Sequence, residues 1–200
     1  MEETEKVPDP EKLLFPSFYS RDPAVVARGL LGKRLVRVLN GDALEGTIVE
    51  TEAYYGAEDP ASRAFHGRKN YNRLMWGEPG RIFIYNVHKY WMLNIVAHEP
   101  DEIGAALIRA IEPTRGIESM LSNRPVKEPR SLTSGPGKLT LALGIDKASH
   151  GASVLSPGSE IRILDAASDP VIGTSRRIGV TRDLDRDIRF YVEGNPYVSR

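Results

Sequence analysis

The sequence predicts a single α+β domain around an antiparallel or mixed β-sheet with peripheral helices. Three observations predict it. The chain has 200 residues, which suits one domain with a sizeable core. Its β-like runs are joined largely by hairpin turns, the connection that antiparallel neighbours use. Helical patterns are few and short, and belong at the periphery of such a sheet. Residues 1–15 are expected to be a flexible acidic leader, with the folded domain over 16–200.

Each element follows from local signals. Asp22 can cap a helix over Ala24–Leu31, with Gly32 as its stop. Lys33–Leu39 and Ala43–Tyr54 form a hairpin across the turn Asn40-Gly41-Asp42. Residues 55–80 are polar and rich in Gly and Pro, and so long a connection within one domain is usually functional. Arg81–Tyr85 and Trp91–Ala97 are two strands, with Asn86–Tyr90 as the tip between them. Gly104–Ile111 is a further strand, and Thr114 caps a helix running to about Asn123. Ser134-Gly135-Pro136-Gly137 leads into a helix from Lys138 to about Leu143. Three short strands close the pattern, at Ile161–Leu164, Arg177–Val180 and Ile188–Val192.

Composition narrows the function. Apolar content of 40% and charged content of 27% describe a globular protein rather than a disordered or fibrous one. Without cysteine there is no disulfide, thiolate metal site or cysteine nucleophile, a composition that fits a reducing compartment. The four histidines show no HxH or HxxxH spacing, so a histidine metal site is not expected. No apolar run reaches the roughly 18 residues of a membrane span, and residues 1–12 lack the features of a signal peptide. A cytoplasmic protein is expected. Net charge is zero, yet residues 63–89 hold six basic side chains against one acid, Glu78. A basic stripe on a neutral protein can still grip phosphates.

Candidate chemistry centres on VETEAY, residues 49–54. Glutamate fits strands poorly, yet Glu50 and Glu52 lie within one. Alternation puts Ile48, Glu50, Glu52 and Tyr54 on one face, with the carboxylates about 7 Å apart. One carboxylate can then raise the other's proton affinity, and a carboxylate there can activate water. A half-exposed edge strand explains the same spacing. Glu58 and Asp59 add acids from which a hard-cation site can be imagined. SGPGK, residues 134–138, fails the phosphate-loop pattern, because Leu132 stands where Gly is needed and Leu139 follows the lysine. It leaves a helix entry with Lys138, a modest anion site or a plain cap. Arg109 sits in an apolar run and needs a buried partner, for which a glutamate on a neighbouring strand is the natural choice. Tyr54 and Tyr85 can line an aromatic slot or pack in the core.

Taken together, VETEAYYGAEDPAS, PGRIFIY, ALIRAIEPTRGIE, LTSGPGKLTLALGI and RFYVEGNPYVS resemble the alkyladenine (3-methyladenine) DNA glycosylase family, over roughly Phe18 to Ser199. The resemblance implies a curved antiparallel sheet in one domain. It also implies a monofunctional enzyme of base-excision repair, expected to be a monomer, that flips alkylated or deaminated purines from duplex DNA and cuts their N-glycosidic bond. No cofactor or metal is implied. By motif, Glu52 resembles the general base, and Arg109 the arginine that helps hold its water. Tyr54 and Tyr85 resemble the aromatic walls of the base site, and Asn94 an asparagine that discriminates purines. Leu107 resembles a groove-facing neighbour of the wedge, and Lys138 a phosphate contact. Two departures stand out. Arg63 occupies a position where many members have histidine, with His66 three residues on. The hairpin tip reads YNVHKYW, one residue shorter than usual, so Val87 or His88 is the expected wedge and Lys89 a flanking phosphate contact. Two other classes fit parts of the pattern: a non-catalytic nucleic-acid-binding domain with a structural Glu52, and a metal-dependent hydrolase using the acidic cluster.

Overall fold

The structure, a computed structural model, describes residues 13–199. Most of the leader expected over residues 1–15 lies outside the described residues. Of its last residues, Leu13 bridges to Leu164 and Leu14 is buried.

Among the described residues, eight strands form one antiparallel sheet flanked by four short helices: α1 (Pro16–Tyr19), α2 (Pro23–Gly29), β1 (Arg34–Leu39), β2 (Asp42–Tyr54), β3 (Ile82–Val87), β4 (Tyr90–Val96), β5 (Ala105–Arg115), α3 (Ile117–Asn123), α4 (Pro136–Ala142), β6 (Ile161–Leu164), β7 (Ile172–Ser175) and β8 (Arg189–Val192). The order is β3-β4-β5-β2-β1-β6, with β8 joining β2 and β7. Strand β2 organises the sheet. One edge pairs with β5 along most of its length. The other pairs with β1 up to Thr47 and with β8 over Glu50–Glu52. The handover coincides with register shifts between Ile48 and Thr51, irregularities of the kind that bend and twist a strand. The α+β class and curled antiparallel sheet agree with the sequence reading.

Local chemistry explains most elements. The Asp22 carboxylate accepts the Ala24 and Val25 N–H groups and starts α2, where Pro23 at the first position loses no helical bond. Asn40 and Gly41 both take positive φ (53° and 92°), the signature of the tight turn that closes a two-residue hairpin. Alternation then sorts the side chains. Ala53, Ile84, Leu93, Ala106 and Ile108 join the main core that α2, α3 and α4 cover. Tyr54, Met92 and Leu107 form a smaller cluster of their own. Each fully buried Leu or Ile contributes about 1.5–3 kcal/mol, so the main cluster fixes the platform on which the second one stands.

Four expectations are corrected. The hairpin tip is narrower than Asn86–Tyr90: Asn86 pairs with Trp91 and Val87 with Tyr90, which leaves a turn of His88 and Lys89. Strand β5 runs past Ile111 to Arg115, because β2 is long enough to pair it there. Thr114 therefore lies in the strand and caps nothing, and α3 starts after Gly116, whose φ is 70°. Residues 177–180 are not a strand. The strand is β7, while Arg177 and Ile178 direct their hydrogen bonds to acidic side chains.

Candidate active site

Glu50 and Glu52 are both 0% exposed, and Arg109 of β5 lies between them. Its Nε donates to Glu50 Oε1 at 2.7 Å, and its Nη1 pairs with Glu52 Oε1 at 3.1 Å. This is the partner that a charge in an apolar strand requires. The two carboxylates otherwise differ. Glu50 also accepts Arg189 Nε at 2.7 Å, Ser199 Oγ at 2.8 Å and the Ser199 N–H at 2.6 Å. Burial alone would push its pKa up, but Arg109, Arg189 and Ser199 together hold it below the ordinary carboxylate value. Glu52 accepts the Ile178 N–H at 2.8 Å and the Tyr54 hydroxyl at 2.8 Å. Burial dominates there, and the Glu52 pKa is raised despite the pull of Arg109, Ile178 and Tyr54; the Glu50 charge adds to the rise. Burial, then the Glu52 charge, push the Tyr54 pKa up, so its hydroxyl stays a donor. Glu50, Glu52, Arg109 and Arg189 have no net formal charge, the condition under which four buried ions are tolerable.

A cavity of about 420 Å³ opens in front of this group. Tyr54, Tyr85, Leu107, Met92 and Arg109 line one part of it, and residues 178–182 another. Three of its lining residues, Tyr54, Arg109 and Ile178, are the ones that touch Glu52. The cavity wall is thus the set of groups that holds the buried carboxylate. Arg63 also lines the cavity, with its guanidinium carbon 4.5 Å from the centre of the Tyr85 ring. Its position means that a cation covers part of one aromatic wall.

The structure brings Tyr54, Arg63, Tyr85, Val87, Leu107 and Arg109 together around this cavity, with Glu52 directly behind it. Two expected placements change. Leu107 is 3% exposed and packs against Tyr54 and Met92, so it is cavity floor rather than a groove-facing side chain. Asn94 is 2% exposed and lies outside the cavity lining; its amide donates to the Phe83 and Met92 carbonyls, which binds it to the sheet. Val87 and His88 separate clearly. Val87 lines the cavity, whereas His88 is exposed in the turn with φ at 54°. Lys89 is exposed beside it, with Nζ 5.6 Å from the Tyr90 ring. Lys138 is exposed on α4 and lines a separate depression with Arg130. The start of α4 serves packing: Pro136 lines the cavity, and a Cβ on Gly137 would lie 2.7 Å from the Tyr90 Cβ. The acids weighed as a cation site do not converge. Asp59 is fully buried and binds Arg177 through both oxygens at 2.7 Å, while Glu58 is exposed. Among the described residues, no group of three or more acidic or histidine side chains is arranged to hold a metal ion.

Several residues around the site were not singled out by sequence reasoning. Arg177 is fully buried, binds Asp59 and Asp183, donates to the Ala53 carbonyl and stacks 4.4 Å from the Tyr54 ring centre. It fastens the segment that delivers the Ile178 N–H to Glu52. Arg189 and Ser199 do the same for Glu50. The available signal was the arginine pair Arg176-Arg177 before apolar Ile178, an unusual content for a supposed short strand.

Comparison with known proteins places the chain in a family. Residues 17–196 match the family model described as methylpurine-DNA glycosylase. A protein of Aeropyrum pernix is 42% identical over 192 residues, covering 94% of each chain. One of Clostridium perfringens is 42% identical over 199 residues, covering 92% of this chain and 97% of its own. One of Chlorobaculum parvum is 40% identical over 190 residues, covering 94% and 91%. All three are provisionally named 3-methyladenine DNA glycosylases.

Proposed function

The chain belongs to the methylpurine-DNA glycosylase family, and from that premise we propose that it turns an alkylated purine out of duplex DNA into the cavity between Tyr54 and Tyr85 and hydrolyses its N-glycosidic bond with a water activated by Glu52. As a family member it is a DNA glycosylase, a hydrolase of DNA repair. No helix among the described residues is long and apolar enough to cross a membrane.

The observation that carries the proposal is the Glu52 carboxylate, held by Tyr54, Ile178 and Arg109 immediately behind a cavity walled by those same three residues. A base paired within a duplex is out of reach of any such site and must be extruded first. Tyr54 and Tyr85 offer aromatic faces that attract an electron-poor, cationic alkylpurine. The attacking water forms its bond to C1′ as the C1′–N bond breaks. The electron pair of that bond leaves with the base, and the water's proton passes to Glu52. A cationic purine such as 3-methyladenine or 7-methylguanine leaves neutral and needs no acid. The sugar develops oxocarbenium character, which the Glu52 charge stabilises. Arg109 orients the water. Its own positive charge is offset by Glu50, so it does not oppose the charge developing on the sugar. Val87 is favoured as the wedge, and Lys89 and Lys138 as phosphate contacts.

Glu52→Gln tests the assignment, because the amide keeps the shape and cannot take water's proton. Single-turnover release of 3-methyladenine from methylated duplex should fall at least about a hundredfold, with DNA affinity retained. Release within about tenfold of the parent, equivalent to about 1.4 kcal/mol, would remove Glu52 from the role. The same assay on the parent decides against a non-catalytic DNA-binding domain, and its persistence in chelator decides against a metal-dependent hydrolase.

A further inference from the structure

A second cleft, of about 320 Å³, lies across Tyr85 from the excision cavity, and the two share Arg63 and Tyr85. Tyr71 and Trp91 add aromatic surface to it and Lys147 a second cation, with no acidic side chain in its lining. Asp146, the residue before Lys147, has its carboxylate turned to the Ala148 N–H at 2.8 Å. The rim is built rather than loose. Asn72, 0% exposed, accepts the Lys69 N–H at 2.6 Å and donates to the Arg63 and Gly67 carbonyls at 2.7 and 3.0 Å. These bonds tie residues 63–72 into one turn, on which Tyr71 is left 46% exposed beside the opening. On the other side, His150 Nδ1 lies 3.1 Å from the Ile84 N and 2.9 Å from the Ile84 carbonyl oxygen, and its contact with this peptide holds the turn carrying Lys147 against β3. The buried Asn72 amide thus fixes the backbone from which Arg63 and Tyr71 extend at the edge of the cleft.

We propose that this cleft is a second nucleotide site, which takes an unstacked nucleotide of the bound DNA other than the one in the excision cavity. The aromatic rings match the flat face of a base, and Arg63 and Lys147 match its phosphates, the combination that binds single-stranded nucleic acid without sequence preference. The charge decides the occupant: two cations without a lining acid select a nucleotide within a polyanion over a neutral free base. The inference rests on the first cavity being the excision site. With a nucleotide held on each side of Tyr85, the strand is gripped at two points when the lesion leaves the stack.

The test uses duplexes with an uncleavable abasic-site analogue and 2-aminopurine at each of the neighbouring positions in turn, bound by the full chain. At one position the parent should quench 2-aminopurine at least about threefold more than Tyr71→Ala does, because stacking on the ring is lost in the variant. Lys147→Ala should reduce the salt slope of DNA binding by about one unit. If no position responds to Tyr71→Ala, or if Lys147→Ala leaves the slope unchanged, the proposal is overturned. Trp91 fluorescence in a Trp76→Phe protein supplies a further arm. Quenching by free adenine but not by DNA would make the cleft a product site and overturn the proposal. Base release from methylated duplex, measured on the parent in parallel, reports on the excision reading separately from the cleft.

Discussion

Glu50 and Glu52 stand two residues apart on one strand and are equally hidden from solvent, yet their proton affinities are displaced in opposite directions. Glu50 accepts from two arginines and twice from Ser199. Glu52 touches one arginine, one backbone N–H and one tyrosine hydroxyl. The difference teaches that burial does not assign a carboxylate its role. The donor set does, by keeping one group ionised to lower pH and leaving the other to take up a proton at higher pH.

The sharpest way to break the comparison is Glu50→Gln. It removes the charge that two buried arginines share, and breaking such a pair costs about 3–5 kcal/mol, to be measured by urea unfolding. Excision should fall with it, because Arg109 loses its anchor. Glu52→Gln should behave oppositely in the same experiment. A raised folded-state pKa means that ionised Glu52 costs stability as pH rises from the ordinary carboxylate value through the raised one. Removing that charge should leave stability at neutral pH equal or higher while activity is lost. A stability loss in Glu52→Gln as large as that of Glu50→Gln would erase the distinction.

pH sharpens it further. Single-turnover excision should rise with pH along a limb centred above the ordinary glutamate range, since the proposed mechanism uses Glu52 as the carboxylate and burial raises its pKa. Glu50 acts in the other direction: its folded-state pKa is lowered, so its stabilisation is present above the ordinary value and lost as pH falls through the lowered one. Acid should therefore silence the enzyme before it unfolds it. Coincident loss of activity and of structure on acidification would refute this.

Smaller effects test the outer rim. Val87→Gly should reduce excision on duplex more than on single strands, since only a duplex leaves a gap to fill, whereas His88→Gly should show little such bias. The reverse ranking would make the exposed turn residue the wedge. Lys89→Ala should lower the salt slope of duplex binding by about one unit with excision at saturation unchanged.

Much of this was legible in the sequence where the signal is local. The Asn40-Gly41 turn, the Asp22 cap and the period-2 face bearing Glu50, Glu52 and Tyr54 are set by neighbouring residues, whereas Ile48, expected on that face, packs with Ala53 in the main core because the register shifts after it. The Arg109 partnership was legible too, because a charge in an apolar strand has few alternatives. What could not be read depends on residues far apart in the chain. Asn94 and Leu107 carry no local mark separating a cavity wall from its floor or the sheet beneath. Arg177 looked like strand, since nothing nearby reveals that its partner is Asp59, 118 positions earlier. The length of β5 was hidden for the same reason: β2, not its own sequence, extends it to Arg115.

The bonds from Ser199 to Glu50 span 149 positions. A ribosome adding roughly 5–20 residues per second needs on the order of ten to thirty seconds to cover that distance. For most of that interval the nascent strand carrying Glu50 has neither Arg189 nor Ser199 to meet its charge. The charged knot can therefore close only after residue 199 has been made, and chains stalled before it are expected to be cut by protease under conditions where the full chain resists. The strand bearing Glu50 and Glu52 is made early and meets its full set of partners late, so its charges are the last part of the sheet to be settled.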